Sequence, residues 1–375
     1  MDHESRVTRL PDPEFWKDRR VLVTGHTGFK GAWLALWLAD LGADVTGIAL
    51  PPETDPSLFQ TLDLATLIQS HHVDIRDPEA THRTMGDAAP DIVLHLAAQS
   101  LVRRSYREPL VTFSTNVMGT AHILDGLRTI ACARAAVIVT TDKVYRNREW
   151  NRPYTETDDL GGHDPYSGSK AASELVVDSY RKSFLDAQGV RVASARAGNV
   201  IGGGDWADDR LLPDIVRAWS SGQPVNLRRP RSTRPWQHVL EPVCGYLVLA
   251  EALTQDAARA GPYNFGPAIA SECAVEDVVR IAADAWRLDA ATKTEPIIDI
   301  AQDATGPHEA GLLALDPAKS ANLLQVNPVW TTEQAVQRTI GEYAALTAGQ
   351  DARAVCRNSI SAFMHAANSE SEARP

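Results

Sequence analysis

Cysteine is scarce and scattered. The 375 residues hold four thiols, Cys132, Cys244, Cys273 and Cys356, with none of the paired spacing that binds zinc or staples a small secreted domain. Reduced thiols, no disulfide and no metal are expected. Long apolar runs are also missing. The strongest, 32–41 and 243–253, are far shorter than the roughly 20 residues of a membrane helix, and charge interrupts them, so no membrane partner is expected. The opening Met1-Asp2-His3-Glu4-Ser5-Arg6 has neither an apolar secretory core nor an Arg-rich transit pattern, and a cytoplasmic location is expected by default. Positive charge is in deficit, with 37 Lys and Arg against 48 Asp and Glu and a net charge of −11. That balance disfavours a nucleic-acid partner. The local group Arg228, Arg229, Arg231 and Arg234 suits a small phosphorylated ligand better. What the chain does have is core-forming material, with 44% hydrophobic residues, enough for two domains or one enlarged α/β domain.

Apolar strand-like runs alternate with helical patterns through 20–24, 32–41, 45–50, 92–96, 115–128 and 137–141. That rhythm predicts an α/β fold with a doubly wound parallel sheet, Rossmann-like, whose ligands gather at the carboxyl ends of the strands. A long helix is expected from Tyr166 to about Ala187, followed by a strand over 190–195. After Ala197 the pattern turns irregular, with Gly202-Gly203-Gly204, frequent prolines and short strand signals at 225–227 and 263–265. We therefore expect a cofactor domain over 15–196, to which the chain returns near 236–266. A smaller α/β substrate lobe should occupy most of 197–349. The tail 350–375 is polar and poorly patterned, and it is expected to fray after Ala367 without a function of its own.

The chemistry concentrates in three segments. Gly25-His26-Thr27-Gly28-Phe29-Lys30-Gly31 follows the run Val21-Leu22-Val23 and precedes a helix. Glycines at 25, 28 and 31 let a tight turn and a helix N-terminus approach a pyrophosphate, which points to a dinucleotide. The second strand ends in Leu50-Pro51-Pro52, without the acidic residue that would receive a ribose 2′-hydroxyl, so these residues leave NAD and NADP both open. Tyr166 and Lys170 stand one helical turn apart, where an ammonium can lower a neighbouring phenol from about 10 towards neutrality. Thr140-Thr141-Asp142-Lys143-Val144-Tyr145 closes a strand and projects polar groups into the same cleft.

Together with Arg196-Ala197-Gly198-Asn199-Val200-Ile201-Gly202-Gly203-Gly204-Asp205-Trp206 and Arg234-Pro235-Trp236-Gln237-His238-Val239, these segments resemble the nucleotide-sugar 4,6-dehydratases of the extended short-chain dehydrogenase/reductase family, over about residues 15–343. In that family a Thr-Asp-Glu signature is usual, and Lys143 stands here in place of the glutamate. The resemblance implies NAD as cofactor, held by Gly25, Thr27, Gly28, Phe29, Lys30, Gly31, Asp74, Ile75, Leu96, Ala97, Ala98, Gln99, Tyr166 and Lys170. It implies CDP-glucose as the nucleotide-sugar substrate, met by Asn199, Arg234 and His308. Catalysis would fall to Tyr166, assisted by Lys170 and Thr141, for oxidation at C4. Asp142 would be the general acid for loss of water across C5 and C6, and Lys143 the candidate base or an electrostatic stabiliser. A homodimer or homotetramer through helices near 101–128 and 166–187 is also implied. An epimerase or reductase of the same fold would use Tyr166 and Lys170 but leave Asp142 and Lys143 idle, and a non-catalytic nucleotide-binding scaffold is the third alternative.

Overall fold

A computed structural model describes residues 7–227, 229–268, 273–289, 292, 294–300 and 312–372. Its centre is a seven-stranded, all-parallel sheet. The first six strands in the chain are β1 (Arg20–Thr24), β2 (Asp44–Ala49), β3 (Gln69–His72), β4 (Ile92–His95), β5 (Ala135–Val139) and β6 (Arg191–Ala197). Across the sheet the order is Gly261–Phe265, β6, β5, β4, β1, β2, β3. The order reverses between β1 and β4, and a crevice opens at such a reversal, outside the carboxyl ends of the strands.

Strand periodicity explains how both faces become buried. In β1, Val21 and Val23 join one apolar cluster while Leu22 joins the other, and in β5 Val137 and Val139 oppose Ala136 and Ile138. The first face is covered by helices Phe29–Asp40 and Leu240–Gln255, the second by Pro78–Ala88, Gly119–Leu127 and Pro165–Tyr180. A near-continuous apolar strand is what such two-sided cover requires. β3, Gln-Ser-His-His, is the exception, an edge strand that is mostly exposed.

After β6 the chain leaves the sheet, and a separate apolar cluster gathers Leu212, Ile215, Trp219, Val279, Trp286 and Tyr343 from helices Leu211–Ser220, Val275–Leu288 and Thr332–Thr347. Beside it, Val225–Leu227 pairs in parallel with Ile298–Ile300. The chain rejoins the main sheet at Gly261–Phe265, next to β6.

Two expectations need correction. The helix beginning at Pro165 is α-helical only to Tyr180 and continues as a π-helical turn, Arg181–Leu185. The tail is a 21-residue helix, Ala352–Glu372. Cys356, Ile360, Phe363 and Ala367, spaced four, three and four apart, form a buried stripe on it. Phe363 packs edge-on against Trp37 at 6.0 Å and Trp330 at 5.1 Å. Arg353 donates to the carbonyls of Leu62 and Asp63, and Arg357 pairs with Asp40 at 2.6 Å. Sparse apolar residues among polar ones conceal a helix that needs only one narrow stripe.

Candidate active site

The cleft at the sheet reversal has a volume of about 1160 Å³. Its glycine-rich wall is shaped by absent side chains. Gly25 has φ +77°, and a Cβ there would lie 2.8 Å from the Ala97 nitrogen; at Gly31 a Cβ would lie 2.1 Å from the Gly25 carbonyl oxygen. Gly28 begins helix Phe29–Asp40 with no side-chain cap, so the first N–H groups of that helix are left for a ligand. Thr27 Oγ1 donates to the Leu50 carbonyl at 2.8 Å and ties the turn to the end of β2. Thr24 Oγ1 accepts from the Leu96 and Ala97 amides, each at 3.0 Å, and fixes the small-residue loop opposite. Ala98 and Gln99 continue this loop along the cleft. His95 is held between Thr24 and Thr120, and burial drives its pKa down to about 3, which keeps the ring neutral.

At the far end of the cleft lie Asp74 and Ile75. Asp74 is bound through both oxygens by Arg76, whose hydrogen bonds hold its carboxyl below the usual range. This wall fits a dinucleotide: a backbone cradle that any Cβ would fill, a free helix N-terminus and an apolar slot. Lys30 lies in the same wall. Its Nζ reaches the Tyr246 hydroxyl at 3.4 Å, and burial, with Arg210 and Lys170 adding repulsion, pushes it down to about 7.

Facing the cradle, Asp164 caps helix Pro165–Tyr180 by accepting from the Ser167 amide at 3.0 Å. That start places Tyr166 and Lys170 on the buried side. Lys170 Nζ donates to the Val139 carbonyl at the end of β5, at 3.1 Å, and burial lowers its pKa to about 8. Asn116 sits in the π-helical segment Ser114–Met118, where the extra residue in the turn leaves its carbonyl to accept from Ser173 at 2.7 Å. Its side chain accepts from the Gln99 amide at 2.8 Å and donates to Ser169.

The phenol corrects one expectation. Burial pushes Tyr166 up to about 12; a hydrogen bond from Thr141 and the charge of Arg210 only partly oppose it. The Lys170 ammonium donates to the Val139 carbonyl, so it reaches the phenol by charge and not by a hydrogen bond.

Thr141 caps a single 3₁₀ turn, Asp142–Val144, directly after β5. Asp142 has no exposed surface. Its Oδ1 accepts from Thr141 Oγ1 at 2.8 Å and from Lys143 Nζ at 3.1 Å, while Oδ2 has no hydrogen-bond partner among the described residues. A buried carboxylate oxygen without a partner costs free energy unless a ligand completes it. Beneath the turn, Glu174 accepts from Thr140, Ser194 and Arg196 in a fully buried network.

Asn199 and Arg234 both line the opposite side of the cleft. Asn199 Oδ1 and the neighbouring Trp236 Nε1 are buried and without a partner among the described residues. His308 lies outside the described residues. The structure thus brings together Thr141, Asp142, Lys143, Tyr166 and Lys170 with the glycine wall. Arg210, Asp205, Tyr246 and Trp236 also enter the cleft or touch its groups, and sequence reasoning gave them no part. For Arg210 and Trp236, a place in the cleft is purely tertiary. Only the position of Trp236 within Arg-Pro-Trp offered a signal.

A doubly wound sheet with a glycine cradle, a Tyr-x-x-x-Lys helix and a polar turn after β5 defines an extended short-chain dehydrogenase/reductase. Residues 22–339 match the family model described as GDP-mannose 4,6 dehydratase, and the chain belongs to that family. It is 45% identical to the CDP-glucose 4,6-dehydratase of Salmonella typhimurium, covering 95% of this chain and 99% of that protein. The dTDP-glucose 4,6-dehydratase of Xanthomonas campestris is 26% identical, covering 86% of this chain and 92% of that protein. Among solved structures, the UDP-glucuronic acid 4-epimerase of Bacillus cereus in complex with UDP-glucuronic acid and NAD superposes with TM-score 0.73 at 20% identity, over 87% of this chain and 99% of its own. At that identity the likeness shows the fold alone.

Proposed function

We propose that the chain is a hydro-lyase that converts CDP-glucose to CDP-4-dehydro-6-deoxyglucose and water with NAD as a resident cofactor. One observation carries the reading: the buried Asp142, with one oxygen left open, beside Tyr166 and Lys170, in a chain 45% identical to a CDP-glucose 4,6-dehydratase. An epimerase has no use for an acid there. When bound, NAD takes a hydride from C4 and returns it to C6, so none is consumed. Gly25, Thr27, Gly28, Phe29, Lys30, Gly31, Asp74, Ile75 and the loop Leu96, Ala97, Ala98 and Gln99 would hold it.

Tyr166 removes the O4 proton as its phenolate, a form that burial opposes and that Thr141 donating to the phenol oxygen, Lys170 and the positive charge of a bound oxidised nicotinamide would favour. The 4-ketone acidifies C5. Elimination then needs an acid at O6 and a base at C5. A carboxylate and an ammonium 3.1 Å apart are each in the wrong protonation state, and passage of one proton from Lys143 to Asp142 corrects both. Neutral Lys143 takes the C5 proton; protonated Asp142 gives its proton to the departing hydroxyl through the open oxygen. The ion pair is thereby restored; Lys143 then returns a proton to C5 as C6 is reduced and regains one through solvent from Tyr166, which still holds the O4 proton, so that each group ends as it began. Asn199, Arg234 and the indole N–H of Trp236 face the diphosphate, and the strand Val225–Leu227 offers backbone groups to the base. His308 is kept as a substrate residue on the resemblance alone.

We read 15–196, with the return near 236–266, as the cofactor domain and most of 197–349 as the substrate lobe. Among the described residues no helix is long and apolar enough to cross a membrane, and we place the enzyme in the cytoplasm. Leu110, Met118, Leu175 and Phe184 are exposed apolar side chains on segments 109–118 and 165–185, which supports pairing of two copies there as a homodimer or as half of a homotetramer. Incubation with CDP-glucose and a trace of NAD tests the activity. A 4-keto-6-deoxy sugar, seen as an alkali-induced chromophore, is expected; an unchanged or merely C4-inverted sugar would reject the reading.

A further inference from the structure

The wall of the cleft between Gly202 and Asp205 is held from behind by two C-terminal helices. Glu342, on Thr332–Thr347, accepts the Gly203 N–H at Oε2, 2.6 Å away. Ser359, on Ala352–Glu372, donates to Oε1 at 2.6 Å. His238 Nε2 lies 3.1 and 3.2 Å from the two oxygens. His238 Nδ1 accepts from the Leu240 amide at 3.3 Å, so Nε2 carries the hydrogen and donates. Three donors therefore converge on one side chain, and only a carboxylate, which accepts and does not donate, satisfies all three. Burial opposes its charge, yet these partners hold its pKa below the ordinary glutamate value.

The carbonyls of the same segment are fixed as well. Trp33 Nε1 donates to the Gly203 carbonyl at 3.1 Å, and the Tyr343 hydroxyl donates to the Asp205 carbonyl. Position 203 has no room for another residue, since a Cβ there would lie 2.5 Å from Glu342 Cβ. Gly202, Gly204 and Asp205 line the cleft, and Asp205 leads to Arg210, whose charge acts on Tyr166.

We infer that Glu342 is a positioning residue for the substrate wall, and that the C-terminal helix acts on the site through Ser359. Loss of the Ser359 hydroxyl removes one of three hydrogen bonds that orient the carboxylate, without touching the cleft. The Gly202–Asp205 backbone then loosens while Tyr166, Lys170 and Asp142 stay in place.

The test compares Ser359→Ala, Ser359→Thr and Glu342→Gln by hydrogen exchange of the peptide spanning 200–207 and by steady-state kinetics with CDP-glucose. Ser359→Ala is expected to speed exchange at Gly203 by about tenfold, the equivalent of one hydrogen bond. Exchange in β1, β4 and β5 should be unchanged. KM should rise several-fold with kcat nearly constant, and Ser359→Thr, which keeps the hydroxyl, should restore both. Glu342→Gln sets an amide N–H₂ against a donor and should exceed Ser359→Ala in both readouts. The kinetic arm rests on the dehydratase reading, whereas the exchange arm does not. If wild type leaves CDP-glucose unchanged, that reading falls and exchange still decides this one. Unchanged exchange at 200–207 in Ser359→Ala, or a general loss of protection with KM unaltered, would overturn the inference.

Discussion

Replacing Asp142 by Asn separates the two halves of the reaction. The side chain is fully buried, with Thr141 Oγ1 at 2.8 Å and Lys143 Nζ at 3.1 Å from one oxygen. An amide of the same shape keeps an acceptor for both but has no acidic proton to give. Removal of a general acid slows a step by about 10²–10⁴-fold, or ~3–5 kcal/mol at about 1.4 kcal/mol per tenfold. That loss should fall on the departure of the O6 hydroxyl. Oxidation at C4, which depends on Tyr166, should change by less than about tenfold, because the Thr141 hydroxyl keeps its place. Bound NADH should therefore appear at a near-normal rate in a single turnover and then persist. In deuterated solvent, C5 exchange should be lost as well, since Lys143 has no carboxylate to receive its proton. Lys143→Met should give the same pattern. Stopped-flow absorbance and rapid-quench mass spectrometry read both steps. Should either variant stall before NADH forms, with its fold intact, the acid and base assignments are wrong; should Asp142→Asn exchange C5 normally, the proton passage between the pair is wrong.

Tyr166→Phe removes the oxygen that takes the O4 proton while leaving ring packing nearly unchanged, so substrate should bind and single-turnover NADH formation should fall by about 10²-fold or more; normal NADH formation would contradict the role. Lys170, lowered by burial to about 8, is charged below that value and neutral above it. The rate of C4 oxidation should therefore decline as pH rises through about 8, and Lys170→Met should remove that limb; a wild-type profile without it would refute the assignment. Phe363→Ala, at a site with no exposed surface between Trp37 and Trp330, should cost about 3–5 kcal/mol in urea unfolding, and a loss below about 1 kcal/mol would show that the C-terminal helix is not part of the core.

The sheet was legible because β5 is apolar at every position and β1 and β4 carry the apolar runs Val21-Leu22-Val23 and Ile92-Val93-Leu94, as two-sided burial demands, and because a glycine turn follows the first of them. β3 was marked mainly by the Asp74-Ile75 that follows it, its own residues being polar on an exposed edge. The C-terminal helix was hidden for a related reason: its buried stripe is narrow, with Ser359 and small residues such as Ala352 and Ala367 within it, and the polar remainder dominates the composition. Within the site, Tyr166 and Lys170 could be paired from helical spacing alone, but the direction of the lysine could not. The Val139 carbonyl at the end of β5 captures the ammonium, and burial raises the phenol. Lys143 posed the opposite problem. From sequence an ammonium in a base position called for burial or neighbouring cations to depress it, or for an electrostatic role instead. The neighbour is a carboxylate 3.1 Å away, which favours the charged form and serves a base role only as the proton acceptor proposed above. Glu342 carries no local mark, for its donors come from residues 203, 238 and 359, which only the folded chain brings together.

The most direct test of the central claim is turnover of CDP-glucose with NAD far below substrate concentration, followed by mass spectrometry of the sugar and by NADH absorbance. Complete conversion to a product lighter by one water, carrying C4 deuterium to C6 when [4-²H]-labelled substrate is used, with no net NADH, is the expected result. A product of unchanged mass, or one NADH released per sugar, would contradict a redox-neutral dehydratase.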